Sequence, residues 1–149
     1  MKVKDIMTSQ VTTVEASAKL LEAVQLLDTG KFGALPVVDD TGELVGIITE
    51  SDFIGKNEEV PHGLTIPSLL GQWFHNVSVE EIFKGARDEV VGNVMTKDPH
   101  VVSSDAALTL AVKLMLNFEI SRLPVVDHGK LVGIVSKKDV LKAVLASGS

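Results

Sequence analysis

The chain has 149 residues, 45% hydrophobic and 23% charged, the balance of a folded globular protein rather than a disordered one. A net charge of −6 argues against a nucleic-acid backbone as the main partner. The absence of cysteine excludes disulfides, thiolate zinc sites and thiol nucleophiles. No apolar run reaches the ~18–20 residues of a membrane span, and the first ten residues carry charges without an apolar signal core. The expected location is the cytoplasm. At 4% aromatics the core must be aliphatic.

In chain order, the pattern predicts a short strand from Val11 to Val14. A helix follows, with Leu20, Ala23, Val24 and Leu27 at helical spacing. A buried strand covers Leu35 to Val38. Asp39-Asp40-Thr41-Gly42 makes a turn, and a strand from Leu44 to Ile48 leads into a helix opened by Thr49. Residues 56–89 form an insert. It holds Pro61, Gly63 and Pro67, the apolar group Leu69, Leu70, Trp73 and Phe74, and a short helix over 79–84 capped by Ser78 with Glu81. Trp73 and Phe74 serve either to cap the core or to contact a second copy or a regulated protein. The same series then returns. It has a strand from Val101 to Ser103, a helix started by Ser104-Asp105 with Leu108, Ala111, Val112 and Met115, a strand from Leu123, a turn at Asp127-His128-Gly129, a strand from Leu131 to Val135, and a helix opened by Ser136.

That return is an internal repeat. Asp5-Ile6-Met7-Thr8 recurs as Asn93-Val94-Met95-Thr96, 88 residues on. Leu35-Pro36-Val37-Val38-Asp39 recurs as Leu123-Pro124-Val125-Val126-Asp127, again 88 on. Gly46 and Gly133 lie 87 apart, one residue having been lost in the turn. The expected fold is therefore α/β (α+β), two β-α-β-β-α units at 1–55 and 90–149 joined by the insert.

Both repeats carry Gly, two aliphatics, Thr or Ser, two residues, then Asp: Gly46-Ile47-Ile48-Thr49-Glu50-Ser51-Asp52 and Gly133-Ile134-Val135-Ser136-Lys137-Lys138-Asp139. This is a strand running into a helix N-terminus. Free backbone N–H groups there favour a phosphate, and the Asp one turn on can accept from ribose hydroxyls. The same spacing also makes an ordinary helix cap. The Gly permits close approach of a ligand or of a neighbouring backbone.

Taken together, these motifs resemble the cystathionine-beta-synthase-like (CBS) domain family over residues 2–55 and 90–146. The resemblance implies that the two units pack through their sheets about a pseudo-two-fold axis, with two clefts, each shared by both repeats. It implies a regulatory sensor of adenosyl ligands such as AMP, ADP or ATP, without catalysis or a required cofactor, that often forms a homodimer and signals to a regulated protein. Carried over residue by residue, one cleft uses Thr49 and Asp52 with His100, Val101, Ile120, Ser121 and Arg122. The other uses Ser136 and Asp139 with Thr12, Thr13, Phe32, Gly33 and Ala34. Arg122 offers fork-like bonds to a phosphate where its counterpart Ala34 offers none. It serves either a phosphate or a surface ion pair with Glu119 or another acid. Lys137 and Lys138 are alternative cations for the second cleft. An interaction scaffold with vestigial clefts is the competing reading.

Little else points to chemistry. His62, His75, His100 and His128 lack metal-ligand spacing, though His100 is placed to touch a base. Ser103-Ser104-Asp105 has no histidine partner implied by spacing. Glu58-Glu59 and Glu80-Glu81 read as solvated charge, and Met7 and Met95 as core filler. Neither a P-loop nor a dinucleotide-binding glycine motif occurs.

Overall fold

The computed structural model of the protein describes residues 1–30, 33–49, 52 and 89–148. The insert's predicted helix, Trp73, Phe74 and Phe32 lie outside the described residues. Two compact units emerge, and they cut across the sequence repeats. One comprises residues 13–40 and 45–97; the other comprises 1–12, 41–44 and 98–149.

In the first unit the strands are β1 (Val14–Glu15), β2 (Ala34–Val38), β3 (Leu44–Thr49) and β4 (Thr96–Lys97), in the order β1-β2-β3-β4. β1 pairs parallel with β2, Val14 opposite Val37, and β4 pairs antiparallel with β3, Thr96 opposite Ile47. Helix α1 (Leu20–Gly30) turns Leu20, Ala23 and Leu27 inward, one helical face onto the sheet. These residues, with Val14, Leu35, Val37, Ile48 and Val91, form the core. The short helix α2 (Val91–Val94) brings Val91 into it.

The second unit repeats the plan. β5 (Arg122–Asp127) pairs antiparallel with β6 (Lys130–Ser136). Val102 bridges Val125 in parallel, as Val14 bridges Val37, and Thr8 bridges Ile134, as Thr96 bridges Ile47. Helix α3 (Leu108–Phe118) buries Ala111 and Met115 against Val3, Val102, Leu123, Val125 and Val135. Helix α4 (Lys137–Ser147) closes the chain. The turn between β5 and β6 takes two residues, His128 at φ 52 and Gly129 at φ 79, a pair of left-handed conformations that suits a tight hairpin.

The leading segment of each repeat thus builds into the other repeat's body. Val3 and Val91, 88 residues apart, are both fully buried, but in opposite units. The helix starts show the same exchange. The Leu108 N–H donates to the Met1 carbonyl at 2.9 Å, and the Leu20 N–H donates to the Glu89 carbonyl at 2.8 Å. This corrects one expectation. Ser104-Asp105 does not start α3, whose N-cap is Ala107, without a side-chain cap bond. A backbone carbonyl from a distant segment satisfies the helix end, and Ser104 is engaged elsewhere.

Candidate functional site

Ser136 ends β6 in extended conformation and caps α4. Its N–H donates to Asp139 Oδ2 at 2.9 Å and its hydroxyl at 3.0 Å, while the Asp139 N–H donates to Ser136 Oγ at 3.2 Å. This reciprocal box shows that the Ser-x-x-Asp spacing does cap its helix. One carboxylate oxygen, Oδ2, takes both bonds. Asp139 Oδ1 has no hydrogen bond among the described residues, so capping leaves an acceptor for a ligand hydroxyl. The helix end is less open to an anion than the sequence implied. The Lys137 N–H donates to the Ser121 carbonyl at 2.9 Å and the Asp139 N–H is used in the box. Of the first three amides, that of Lys138 alone lacks a partner among the described residues.

The first repeat matches this geometry where it is described. The Thr49 N–H donates to Asp52 Oδ2 at 2.7 Å and the Thr49 hydroxyl donates to the same oxygen at 3.3 Å. Asp52 is helical and half-buried.

The motif's glycines answer to the protein's own backbone. A Cβ at Gly46 would lie 2.8 Å from the Thr96 carbonyl oxygen and would overlap Met95 Sδ. At Gly133 it would lie 2.8 Å from the Thr8 carbonyl oxygen and 2.7 Å from Met7 Sδ. Of the two uses the sequence left open, close approach by a neighbouring strand is the one the structure uses. Met7 and Met95 pack on the cores, as expected.

The remaining expected residues are distributed between the units. Arg122 opens β5 and stands opposite Ser136 in the ladder. Opposed residues of an antiparallel pair hold their Cβ atoms about 5 Å apart on one face. Its guanidinium makes neither the ion pair with Glu119 nor any hydrogen bond among the described residues. Ile120 packs on the core, and its N–H donates to the Met115 carbonyl at 3.0 Å past a left-handed Glu119 at φ 53. Ser121 and Val101 are exposed. The exposed His100 stacks on Phe118, ring centroids 3.7 Å apart and planes 17° from parallel. Phe118 escaped the sequence reading because an aromatic at a helix end reads as core. In the first unit Thr12, Thr13 and Gly33 are half-buried and Ala34 is buried, with Thr12 assigned by its contacts to the second unit. Lys137 and Lys138 are exposed.

Beside this region Asp127 ties strand to loop. It accepts from the Ser104 N–H at 3.0 Å, the Ser104 hydroxyl and the Ser103 hydroxyl at 3.3 Å. The Ser104 bonds hold its carboxyl below the ordinary range.

The CBS domain family profile matches residues 3–58 and 91–146. The chain belongs to the CBS domain family. Its relatives include protein MJ1426 of Methanocaldococcus jannaschii, 34% identical over 157 residues, an alignment spanning 97% of this chain and 92% of that protein. The crystal structure of CBSX2 from Arabidopsis thaliana in complex with AMP is 30% identical, with a TM-score of 0.76 and coverage of 99% of this chain and 98% of that one. The CBS domain pair of protein MJ0100, in complex with 5'-methylthioadenosine and S-adenosyl-L-methionine, is 26% identical, with a TM-score of 0.73 and coverage of 99% and 98%. The alignment covers 63% of full-length chloroplastic CBSX2. The CBS pair and its mixed α and β architecture are as the repeat implied. Among the described residues, no helix is long and apolar enough to cross a membrane.

Proposed function

We propose that this CBS pair is a regulatory module of the cytoplasm that binds an adenine nucleotide, AMP or ATP foremost, and catalyses no reaction itself. The carrying observation is the pair of matching strand-to-helix junctions, in which one carboxylate oxygen fixes the cap of each motif. Thr49 and Asp52 hold the ribose of one nucleotide, Arg122 its phosphate, and His100, Val101, Ile120 and Ser121 its base. Ser136 and Asp139, with Thr12, Thr13, Phe32, Gly33 and Ala34, take the second. Arg122 against Ala34 makes the first site the tighter one for phosphate. AMP in the CBSX2 crystal and adenosyl compounds in that of the MJ0100 pair support the ligand class. Binding would favour one arrangement of the module, which a regulated protein reads.

A thermal-shift panel of AMP, ADP, ATP, NAD and S-adenosylmethionine tests this. A ligand at a hundred times its Kd adds about 2.7 kcal/mol of apparent stability, a rise of about 5–10 °C for a chain of this size. No response to any of the five would overturn the reading. A second role as an interaction or homodimerisation module is favoured by α4, where Leu141, Val144 and Leu145 are 62%, 59% and 77% exposed. Mass measurement in solution tests it.

A further inference from the structure

Helix α4 buries none of its residues. Leu141, Val144 and Leu145 form one outward stripe at helical spacing. Of the nine large apolar side chains exposed among the described residues, eight lie in the second unit and Leu21 alone lies in the first. Apolar surface that needs a cover is thus a property of one unit, and the face that matches it in kind is the same unit of a second copy. Charge sets the direction. Lys137, Lys138 and Lys142 stand exposed in the first half of α4. The last turn holds no basic side chain, and the one acid of the helix, Asp139, lies in the N-terminal cap. The helix therefore has a cationic start and an uncharged end, where the backbone dipole is negative.

We propose that two copies of this chain associate through their second units, α4 against α4 of the other copy, antiparallel about a two-fold axis that passes near Leu141. This rests on the homodimerisation reading and names its face and direction. Parallel helices would set each lysine beside its own counterpart. Antiparallel helices set the start of each over the end of the other. Lys137 then comes opposite Leu145 of the second copy, Lys138 opposite Val144, and Leu141 meets its own counterpart. The lysine stems lie along the apolar stripe and carry their ammonium groups toward the carbonyl end of the facing helix. The contact is isologous, so it closes with two copies and leaves no matching face open to a third.

The experiment measures the mass of the full chain in solution and then cross-links it. Leu141→Lys and Leu145→Lys alter exposed positions, and circular dichroism checks that both fold. The wild type is expected to be a dimer, and each variant to raise the dimer dissociation constant about 30-fold or more. Because the chain has no cysteine, introduced ones are read without background. Under mild oxidation Leu141→Cys is expected to form a disulfide dimer by itself. Lys137→Cys and Leu145→Cys are expected to cross-link when mixed but not alone, since antiparallel pairing separates each from its own counterpart by about 12 Å along the axis. A dimer that neither lysine variant weakens, or one in which Leu145→Cys joins Leu21→Cys instead, would overturn this face and leave the homodimerisation reading standing. Self-cross-linking of Lys137→Cys would overturn the antiparallel direction. A wild type that stays monomeric would overturn both readings.

Discussion

Replacing Gly133 by Ala probes the exchanged segment most directly. Gly133 has no positive φ, so the substitution tests space and not backbone conformation. The added methyl would sit 2.8 Å from the Thr8 carbonyl oxygen and 2.7 Å from Met7 Sδ, where ordinary contact begins near 3.4 Å. Met7 can swing aside, but the Thr8 carbonyl cannot do so without loosening its strand. Thr8 and Ile134 exchange two backbone hydrogen bonds, each 2.9 Å. Overpacking costs about 1–3 kcal/mol, and weakening two bonds worth about 1 kcal/mol apiece adds to it. The expected loss is about 3 kcal/mol, or about 6–12 °C in Tm, read by urea unfolding and calorimetry. Gly46→Ala is expected to match it. Gly42→Ala, at φ +87 with nothing within 4 Å, is the control and costs about 1 kcal/mol through backbone conformation alone. A Gly133→Ala protein within about 0.5 kcal/mol of wild type would refute the packing argument.

Val3→Ala and Val91→Ala each empty a fully buried position and are expected to cost about 2–3 kcal/mol in urea unfolding, nearly equally, because the two sites are equivalent. For Asp127, the lowered carboxyl contributes stability that is complete above the ordinary carboxylate range and is lost as pH falls through the lowered value. Asp127→Asn is therefore expected to unfold more readily at neutral pH and to show a shallower decline on acidification, measured as the urea midpoint from neutral pH downward; an unchanged slope would count against the Ser104 staple. Arg122→Ala is expected to weaken AMP by about 10- to 100-fold while leaving adenosine affinity unaltered, the signature of a lost charge-assisted phosphate contact. Combining it with Asp52→Ala and with Asp139→Ala by calorimetry shows which motif shares its nucleotide; coupling to Asp52 is expected.

Much of the fold was legible because the chain states it twice. The aliphatic stripe of Leu20, Ala23 and Leu27 and its counterpart predicted the inner faces of α1 and α3, and Pro36 and Pro124 marked the buried strands. The destination of the leading segments was not legible. Asp5-Ile6-Met7-Thr8 and its copy announced themselves as a motif, but a repeat carries no record of which body a segment joins. Pairing across some 126 residues, Thr8 to Ile134, leaves no local pattern. The false start for α3 at Ser104 has the same origin, since its cap comes from Met1. At the site, Ser136 and Asp139 were readable as a cap because capping is local. The occupied Lys137 amide was not, because its acceptor, Ser121, stands just before β5, sixteen residues away in the chain.

The exchange of leading segments also sets a timetable. A ribosome adds about 5–20 residues per second, so Thr8 waits about 6–25 s for Ile134 to be made. In that interval Val3, Met7 and the Met1 carbonyl have no unit to join. The body around Leu35 meanwhile waits for Val91 and Thr96 before its sheet gains a last strand and α1 its cap. The leading residues thus find their places only after the segments that follow them, and neither half is complete until both have been made.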